Sequence, residues 1–328
     1  MYSSRMAPVP TVSIILYLAQ ISSEQSNVEL HKSLSSLHDV FLLQHPQYPV
    51  VVAYEEEDAH YLTGKLKKRL RLALHATEFE CGQFTEGKRG TQICFVSIND
   101  FRKVPWPFSM YTGDYREDNP YYSRVGYRLM CRFWTHGVFR QPFMQNVTSY
   151  FRMDTDTFLV EMKRDPFQEL ERERLGYLTS VVYKDSPRQV EGLWDTFLRF
   201  ALRENIHPRG LVPLSNQWTD SHSEDTISRM PVSEAVAVLY VRGYNLDYIY
   251  NNWEVTLVEL WKSPVYRRLA SFIDKSGGII MRRWGDAPIR TLALHLLREE
   301  FALVANVTGE VFRQYHSLTI YHKAYHRT

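Results

Sequence analysis

The sequence predicts an α/β protein in which helices cover a parallel sheet. Short β-branched and apolar runs at residues 11–19, 49–54 and 93–98 are typical of buried strands. Between the first two runs, apolar residues recur at helical spacing from Leu30 to Phe41, so the chain begins with a β-α-β unit. In sheets built from such units, ligand sites form at the carboxyl ends of the strands.

Composition narrows the class of protein. The 328 residues are 44% apolar and 23% charged, which fits a folded globular chain and excludes disordered and collagen-like proteins. A formal charge of +2 does not supply the broad basic surface of a non-specific nucleic-acid binder. The apolar stretch at residues 12–19 is shorter than the roughly 20 residues that span a bilayer. Without repeats or low-complexity linkers, we expect one large domain.

The middle of the chain continues the alternation. Acidic residues at 55–58 precede basic residues at 65–71, which predicts a helix with a solvated, mixed-charge face. Residues 100–122 are rich in Pro, Gly and aromatics without any period, and this predicts a long surface loop. A strand over residues 177–183 and a helix over 189–203 follow.

Glycine and proline mark the later elements. Residues 208–223 read as irregular, and the amphipathic stretch at 263–273 predicts a helix that stops at Gly277 and Gly278. Pro288 predicts the first turn of a helix that runs to residue 301.

Cysteines and sequons leave the compartment open. The three cysteines allow one disulfide with one thiol left over, and their spacing matches no zinc pattern: Cys81, Cys94 and Cys131. The Asn-Val-Thr triplets at Asn146 and Asn306 would accept N-glycans in a secretory protein.

Asp154 and Asp156 form the most informative motif. On an extended segment, side chains at i and i+2 point to the same side, so two carboxylates can share one cation and its bound phosphates. Many nucleotide-sugar glycosyltransferases hold Mn²⁺ or Mg²⁺ in this D-x-D arrangement. An ordinary turn is the alternative, while the apolar flanks favour a strand end in the core.

Further candidates lie downstream. Glu254, among aromatics and amides, could serve a sugar-transfer reaction as a nucleophile or charge stabiliser, or be an exposed residue at a helix start. Asp286 stands directly before a helix, where capping is the favoured interpretation. His316, His322 and His326, near the C-terminus, could ligate Mn²⁺ or be structural.

Taken in order, these motifs resemble the fungal Golgi α-1,2-mannosyltransferases, glycosyltransferase family fifteen. Residues 126–133, GYRLMCRF, are similar to the family's Y-R-x-M-C-R-F, and residues 150–158 to its Y-W-R-V-E-P-D. The similarity continues through residues 176–177, 193–194, 252–255, 276–278, 283–288 and 319–325.

The resemblance implies one catalytic domain over residues 1–328 with a GT-A type fold, a mixed and mostly parallel sheet flanked by helices. It implies transfer of mannose from GDP-mannose to a mannose 2-hydroxyl on O- or N-linked glycans or mannan, with retention and Mn²⁺. Double displacement through a carboxylate and a same-face mechanism both remain open. The implied partners are GDP-mannose and a mannose-terminated glycan, not nucleic acid. The implied location is the Golgi lumen, as a type II membrane protein whose anchor and stem precede this domain.

The resemblance also assigns residues. The implied metal ligands are Asp154, Asp156 and His322, and the implied cofactor-binding residues are Asp154, Asp156 and Arg132. The implied catalytic residues are Glu254, matching the acidic residue proposed as nucleophile, with Asp286 and Tyr127.

Three departures from the family pattern support an alternative. The family's E-P-D is D-T-D here, its C-H-F-W is D-Y-I-Y at residues 247–250, and residues 319–325 lack its Gly and Pro. The alternative is a descendant, non-catalytic or with a different donor, that binds nucleotide sugar or glycan.

Overall fold

The structure is a computed structural model, and it describes residues 12–84, 90–99, 103–104, 107, 125–173, 175–179, 182–216, 223–298, 304–306 and 312–316. The expected loop at 100–122 falls almost wholly outside these residues, as does His322.

Strands and helices alternate through most of the described chain. The strands are β1 (Val12–Ala19), β2 (Val50–Glu55), β3 (Thr77–Glu78), β4 (Gln92–Ile98), β5 (Val147–Met153), β6 (Thr157–Met162), β7 (Tyr177–Thr179), β8 (Val182–Lys184), β9 (Asp247–Ile249), β10 (Trp253–Leu257), β11 (Val304–Asn306) and β12 (Phe312–His316). The α-helices are α1 (Glu24–Leu37), α2 (Gly64–Ala73), α3 (Val125–Arg132), α4 (Pro166–Arg172), α5 (Leu193–Glu204), α6 (Glu224–Ser228), α7 (Val232–Arg242), α8 (Val258–Lys262), α9 (Pro264–Ser276), α10 (Gly278–Arg282) and α11 (Asp286–Leu296).

Eight strands form the central sheet in the order β11-β7-β10-β5-β1-β2-β4-β3. The β1–β2, β1–β5, β2–β4, β3–β4 and β7–β11 pairs are parallel. β10 runs antiparallel to both of its neighbours, β5 and β7. The predicted α/β class is confirmed. The three strands predicted at residues 11–19, 49–54 and 93–98 are confirmed as β1, β2 and β4. Because β10 is reversed, its first residues lie at the same edge of the sheet as the last residues of β5.

Both faces of this sheet are buried. In β1, Ile14 and Leu16 pack into one core cluster while Ile15 and Tyr17 pack into the other. The side chains of a strand alternate between faces, so a β-branched run with no polar face is what two covering layers of helices require. The α1 and α2 helices cover the second cluster, and α3, α9 and α11 cover the first.

Several predicted elements need correction. The strand predicted over 177–183 is two strands, β7 and β8, which belong to different sheets. Of the acidic run, residues 56–58 lie on a separate 3₁₀ helix, Glu56–Tyr61. The basic residues lie on α2, where the Thr63 hydroxyl caps the N-terminus by accepting from the Leu66 amide. The final predicted helix is Asp286–Leu296, which starts and ends earlier than expected.

Other boundaries match the sequence. Gly277 ends α9 in the left-handed conformation at φ 73°, as the glycine pair predicted. The segment expected to be irregular contains a 3₁₀ helix, Pro208–Leu214.

Cys81 and Cys94 form a disulfide, and Cys131 is a buried free thiol. Within the described part of the chain, no helix is long and apolar enough to cross a membrane.

A close contact at Gly278 fixes the loop before α11. A Cβ atom added there would lie 2.2 Å from the indole ring of Trp284, which is 2% exposed. We expect Gly278→Ala to lower the free energy of unfolding by about 1–3 kcal/mol, because the indole must move within a packed core. Urea denaturation measures this. Gly64→Ala is the control, because a Cβ there meets nothing within 4 Å; equal losses in both variants would contradict the contact.

Candidate functional site

Arg152 joins the end of β5 to the start of α11. Its Nε and Nη2 donate to Oδ1 of Asp154 at 3.1 and 3.0 Å, and its Nη1 donates to Oδ2 of Asp286 at 2.5 Å. The two carboxylates are 132 positions apart in the sequence, and one guanidinium holds both. Planar guanidinium groups suit this role because their donors lie in a fixed fork.

The sheet places Arg152 in the core. It is 1% exposed, it pairs across strands with Glu254, and its guanidinium stacks on the Trp134 ring at 4.2 Å. A buried cation is costly unless charged partners compensate it. Here the two aspartates supply that compensation and the indole face adds a cation–π contact.

Asp286 is held by its side chain rather than acting as a cap. Gly285 is the N-cap of α11, and the Asp286 carboxylate accepts hydrogen bonds from Arg152 and from Nδ2 of Asn251 at 2.9 Å. The capping interpretation is therefore wrong. Burial raises the pKa of Asp286, but the charge and hydrogen bond of Arg152 outweigh it, and the net shift of the pKa is downward.

Asp154 and Asp156 lie in a turn rather than on an extended segment. The Thr157 amide donates to the Asp154 carbonyl at 3.0 Å, which closes a turn between β5 and β6. The sequence argument from strand alternation is thus wrong for this pair, although the motif does follow a core strand as expected. The Asp154 amide donates to the carbonyl of Asn252 at 2.8 Å, which ties the turn to the start of β10.

The electrostatics of this turn fit a cation. Burial raises the pKa of Asp154 to about 6; Arg152 opposes the shift, while Asp156 and Asp286 add to it. A divalent ion would reverse this by neutralising the neighbouring carboxylates. Arg152 binds Oδ1 of Asp154, so Oδ2 of this side chain, which is 31% exposed, would be the atom available to hold a cation.

Asp154 and Asp156 are the carboxylates that the described residues place in this turn. Among them, no group of three His, Cys, Asp or Glu side chains could hold a metal ion. Two carboxylates are a sufficient protein contribution where a substrate's phosphates and waters complete the shell. The ligand role of His322 stays a prediction.

Glu254 is enclosed rather than exposed. It lies in β10 at 0% exposure, so the alternative of an exposed residue at a helix start is wrong. Its Oε1 accepts from the Tyr150 hydroxyl at 2.8 Å, its Oε2 accepts from the Tyr177 hydroxyl at 2.7 Å, and Arg290 forms an ion pair with it. Both carboxylate oxygens are therefore engaged. This geometry favours a structural role, and the nucleophile assignment stays a prediction.

Tyr127, on α3, lies near Arg283 and Asp286. The guanidinium of Arg283 lies over its ring at 4.4 Å. One helical turn later lies the buried Cys131 thiol; burial raises its pKa, and the charge of Asp286 adds to the rise. Residues i and i+4 share a helix face, so α3 directs Tyr127 and Cys131 together toward Asp286.

Arg132 points elsewhere. It is rotated by about 100° from Cys131 on the helix, and its guanidinium binds both carboxylate oxygens of Asp274 at 2.7 and 3.0 Å. It lines a pocket of about 620 Å³ beside the end of β4, together with His136 and Arg140. The structure therefore brings Asp154, Asp286 and Tyr127 together but pairs Arg132 with a different carboxylate. Its cofactor-binding role stays a prediction.

Sequence reasoning missed the residues that organise the cluster. Arg152 and Arg290 interrupt otherwise apolar stretches, at positions whose periodicity points into the core. A lone charge at a core position is the signal that could have found them, because a buried charge needs a partner. Asn251 gave no comparable signal.

Comparisons with known proteins identify the family. The family model described as Glycolipid 2-alpha-mannosyltransferase matches residues 111–307, more than half of the chain. The chain belongs to this family. The resemblance drawn from the motifs is thereby confirmed.

Individual relatives in this mannosyltransferase family are distant. Probable mannosyltransferase KTR3 of Saccharomyces cerevisiae is 28% identical over 189 residues, covering 56% of this chain and 41% of the relative. O-glycoside alpha-1,2-mannosyltransferase omh1 of Schizosaccharomyces pombe is 26% identical over 180 residues, covering 55% and 41%. The chain thus spans about two fifths of the length of these curated relatives.

Solved structures extend the likeness to the whole fold. Core-mannan synthase A (CmsA/Ktr4) from Aspergillus fumigatus, in its Mn/GDP form, has a TM-score of 0.67 at 18% identity, covering 94% of this chain and 75% of that one. Ktr4p from S. cerevisiae gives 0.67 at 19% identity, covering 95% and 72%. At such low identity, the likeness shows the fold alone. It confirms the expected GT-A type.

The Arg152–Asp286 pair should be visible in the pH dependence of stability. Because the folded pKa of Asp286 is lowered, its contribution is fully present above its ordinary pKa of 3.8 and is lost as the pH falls through the folded value. We expect Asp286→Asn to lower the free energy of unfolding by about 3 kcal/mol at pH 7. The deficit should shrink as the pH falls below about 4 in urea titrations.

A surface pair provides the control. Asp225 and Arg229 are 74% and 78% exposed, so Asp225→Asn should change stability by less than about 0.5 kcal/mol. If the stability lost in Asp286→Asn did not depend on pH, the ionised Asp286 carboxylate would contribute nothing to the free energy of unfolding, and the prediction would be contradicted.

Proposed function

We propose that this chain transfers mannose from GDP-mannose to the 2-hydroxyl of a mannose residue on O- or N-linked glycans or on mannan, with retention of the α configuration. The single observation that carries the proposal is the Arg152 bridge, which holds Asp154 and Asp286 at one edge of a GT-A sheet. Membership of the mannosyltransferase family supports mannose transfer as the reaction at this edge. The likeness to a core-mannan synthase in Mn/GDP form supports the nucleotide and the metal.

Asp154 and Asp156 are the side chains that would hold Mn²⁺. When bound, the ion offsets the negative charge on the departing GDP. Arg152 keeps the Asp154 carboxylate oriented and opposes the rise in its pKa. Asn251 and Arg152 together hold Asp286 in one position beside this turn. These five side chains form a preorganised edge for a diphosphate sugar.

The enclosure of Glu254 favours a same-face mechanism. In that mechanism the acceptor hydroxyl attacks the anomeric carbon from the side on which GDP departs. The new C–O bond forms as the bond to the β-phosphate oxygen breaks, and the hydroxyl proton passes to a β-phosphate oxygen. No carboxylate nucleophile is needed, so Glu254 can remain bound to Tyr150, Tyr177 and Arg290 throughout.

The test is transfer of mannose from GDP-mannose to methyl α-mannoside with Mn²⁺. We expect Asp154→Ala to lower the rate by at least about a hundredfold, because charge on the leaving group is no longer offset. Asp165 offers the control: this aspartate caps α4, and Asp165→Asn should leave kcat close to that of the wild type. Equal rates for wild type and Asp154→Ala would refute the metal role.

Failure of the wild type would favour the alternative. No transfer to any mannoside, together with tight binding of GDP in the presence of Mn²⁺, would indicate a non-catalytic descendant. Transfer of another sugar would indicate a changed donor.

The proposal extends to the Golgi lumen as the site of action, in a full-length type II membrane protein. Two sequons are compatible with that compartment, at Asn146 and Asn306. N-glycans on Asn146, detected by mass spectrometry after expression of the full-length gene, would support it, since only chains in the secretory pathway acquire them.

A further inference from the structure

Three tyrosines cluster at the edge that carries Asp154. Tyr183 lies in β8, Tyr248 in β9, and Tyr250 directly follows β9. The ring centroids of Tyr183 and Tyr250 are 5.2 Å apart with the planes at 89°, and Tyr248 lies 6.4 and 6.5 Å from the two. We name these three residues the tyrosine cluster.

The backbone ties the tyrosine cluster to the candidate metal site. Tyr250 stands one residue before Asn251, whose amide donates to Asp286, and two before Asn252, whose carbonyl accepts from the Asp154 amide. The charges of Asp154 and Asp156 also reach Tyr250, where they add to the effect of burial and raise the pKa of its hydroxyl. The cluster therefore borders the turn that holds the two aspartates.

A rigid support presents the tyrosine cluster to solvent. β8 and β9 form an antiparallel pair in which Tyr183 faces Tyr248 directly, and Lys184 closes the pair through a 2.7 Å bond to Asp247. Tyr183 is 46% exposed, whereas Tyr248 and Tyr250 are half-buried. An exposed ring braced edge-on by a second ring loses little conformational entropy when a ligand stacks on it.

The chemistry of this surface fits a neutral sugar. A pyranose ring has an apolar face of C–H groups and a rim of hydroxyls, and tyrosine offers an aromatic face together with a phenol that can donate and accept. The charges on this strand pair are of both signs: Lys184 pairs with Asp247, and Asp185 lies near Tyr248. A neutral glycan needs a charge of neither sign, so stacking and the phenol hydroxyls carry its recognition.

We infer that the tyrosine cluster is the acceptor subsite, in which Tyr183 stacks on the mannose that receives the transferred sugar or on the residue before it. This inference rests on the proposed function for the identity of the sugar. The exposed ring of Tyr183 governs acceptor affinity, while Tyr248 and Tyr250 fix its orientation.

The experiment separates binding from turnover. Saturation-transfer NMR with α-1,2-mannobiose, in the presence of GDP and Mn²⁺, should give a signal with the wild type that Tyr183→Ala abolishes. In transfer assays we expect Tyr183→Ala to raise the acceptor KM about tenfold, with kcat and the KM for GDP-mannose within about twofold of wild type. Tyr183→Phe keeps the ring and should stay near wild type in stacking, which tests the face rather than the hydroxyl.

Val182→Ala is the matched control. Val182 is the neighbouring residue of the same strand, is 48% exposed, and points to the opposite side of the pair. An unchanged mannobiose signal in Tyr183→Ala would overturn the inference, and so would an equal loss in Val182→Ala. A weakened affinity for GDP alone in Tyr183→Ala would also overturn it, because the ring would then stack on guanine.

The outcomes also separate this inference from the proposed function. If the wild type binds mannobiose through Tyr183 but transfers nothing, the subsite stands and the proposed reaction fails. If transfer proceeds and Tyr183→Ala leaves the acceptor KM unchanged, the reaction stands and the subsite fails.

Discussion

The guanidinium of Arg152 is the interaction on which the candidate site depends. It is buried against Trp134, and it holds one aspartate from the end of a strand and another from the start of a helix. A cation in this position is stable only while both carboxylates face it, so the turn after β5 and the first residue of α11 are fixed relative to each other. Around this bridge the chain gathers the residues to which we assign donor binding and acceptor binding.

A second buried ion pair lies behind the first. Arg290 binds Glu254, and the hydroxyls of Tyr150 and Tyr177 complete the carboxylate's hydrogen bonds. Arg152 and Glu254 are also partners across β5 and β10. The two pairs thus form one polar layer inside an apolar core, and each member is positioned by charges on several elements. Such a layer specifies a single packing of helix on sheet more strictly than apolar contacts would.

The sequence revealed the architecture better than the site. Runs such as residues 11–19 and 49–54 carry their strand signal locally, because burial on both faces requires continuous apolar residues. The partners of Asp286 could not be read in this way: a carboxylate before a helix has the pattern of a cap, and only the fold brings Arg152 within reach. The turn at Asp154 was likewise hidden, because its closing hydrogen bond depends on the backbone path rather than on residue type.

The reversed direction of β10 has a consequence for how such a protein can change. Only residues 250–252 connect β9 to β10, and inserting one residue there would slip the register and turn Glu254 to the other face of the sheet, away from Arg290. The length of this connection is therefore fixed. Tyr183 is under no such constraint, because its ring is partly in solvent on a short outer pair of strands. Over evolutionary time, specificity for the acceptor can drift while the layer beneath it stays the same.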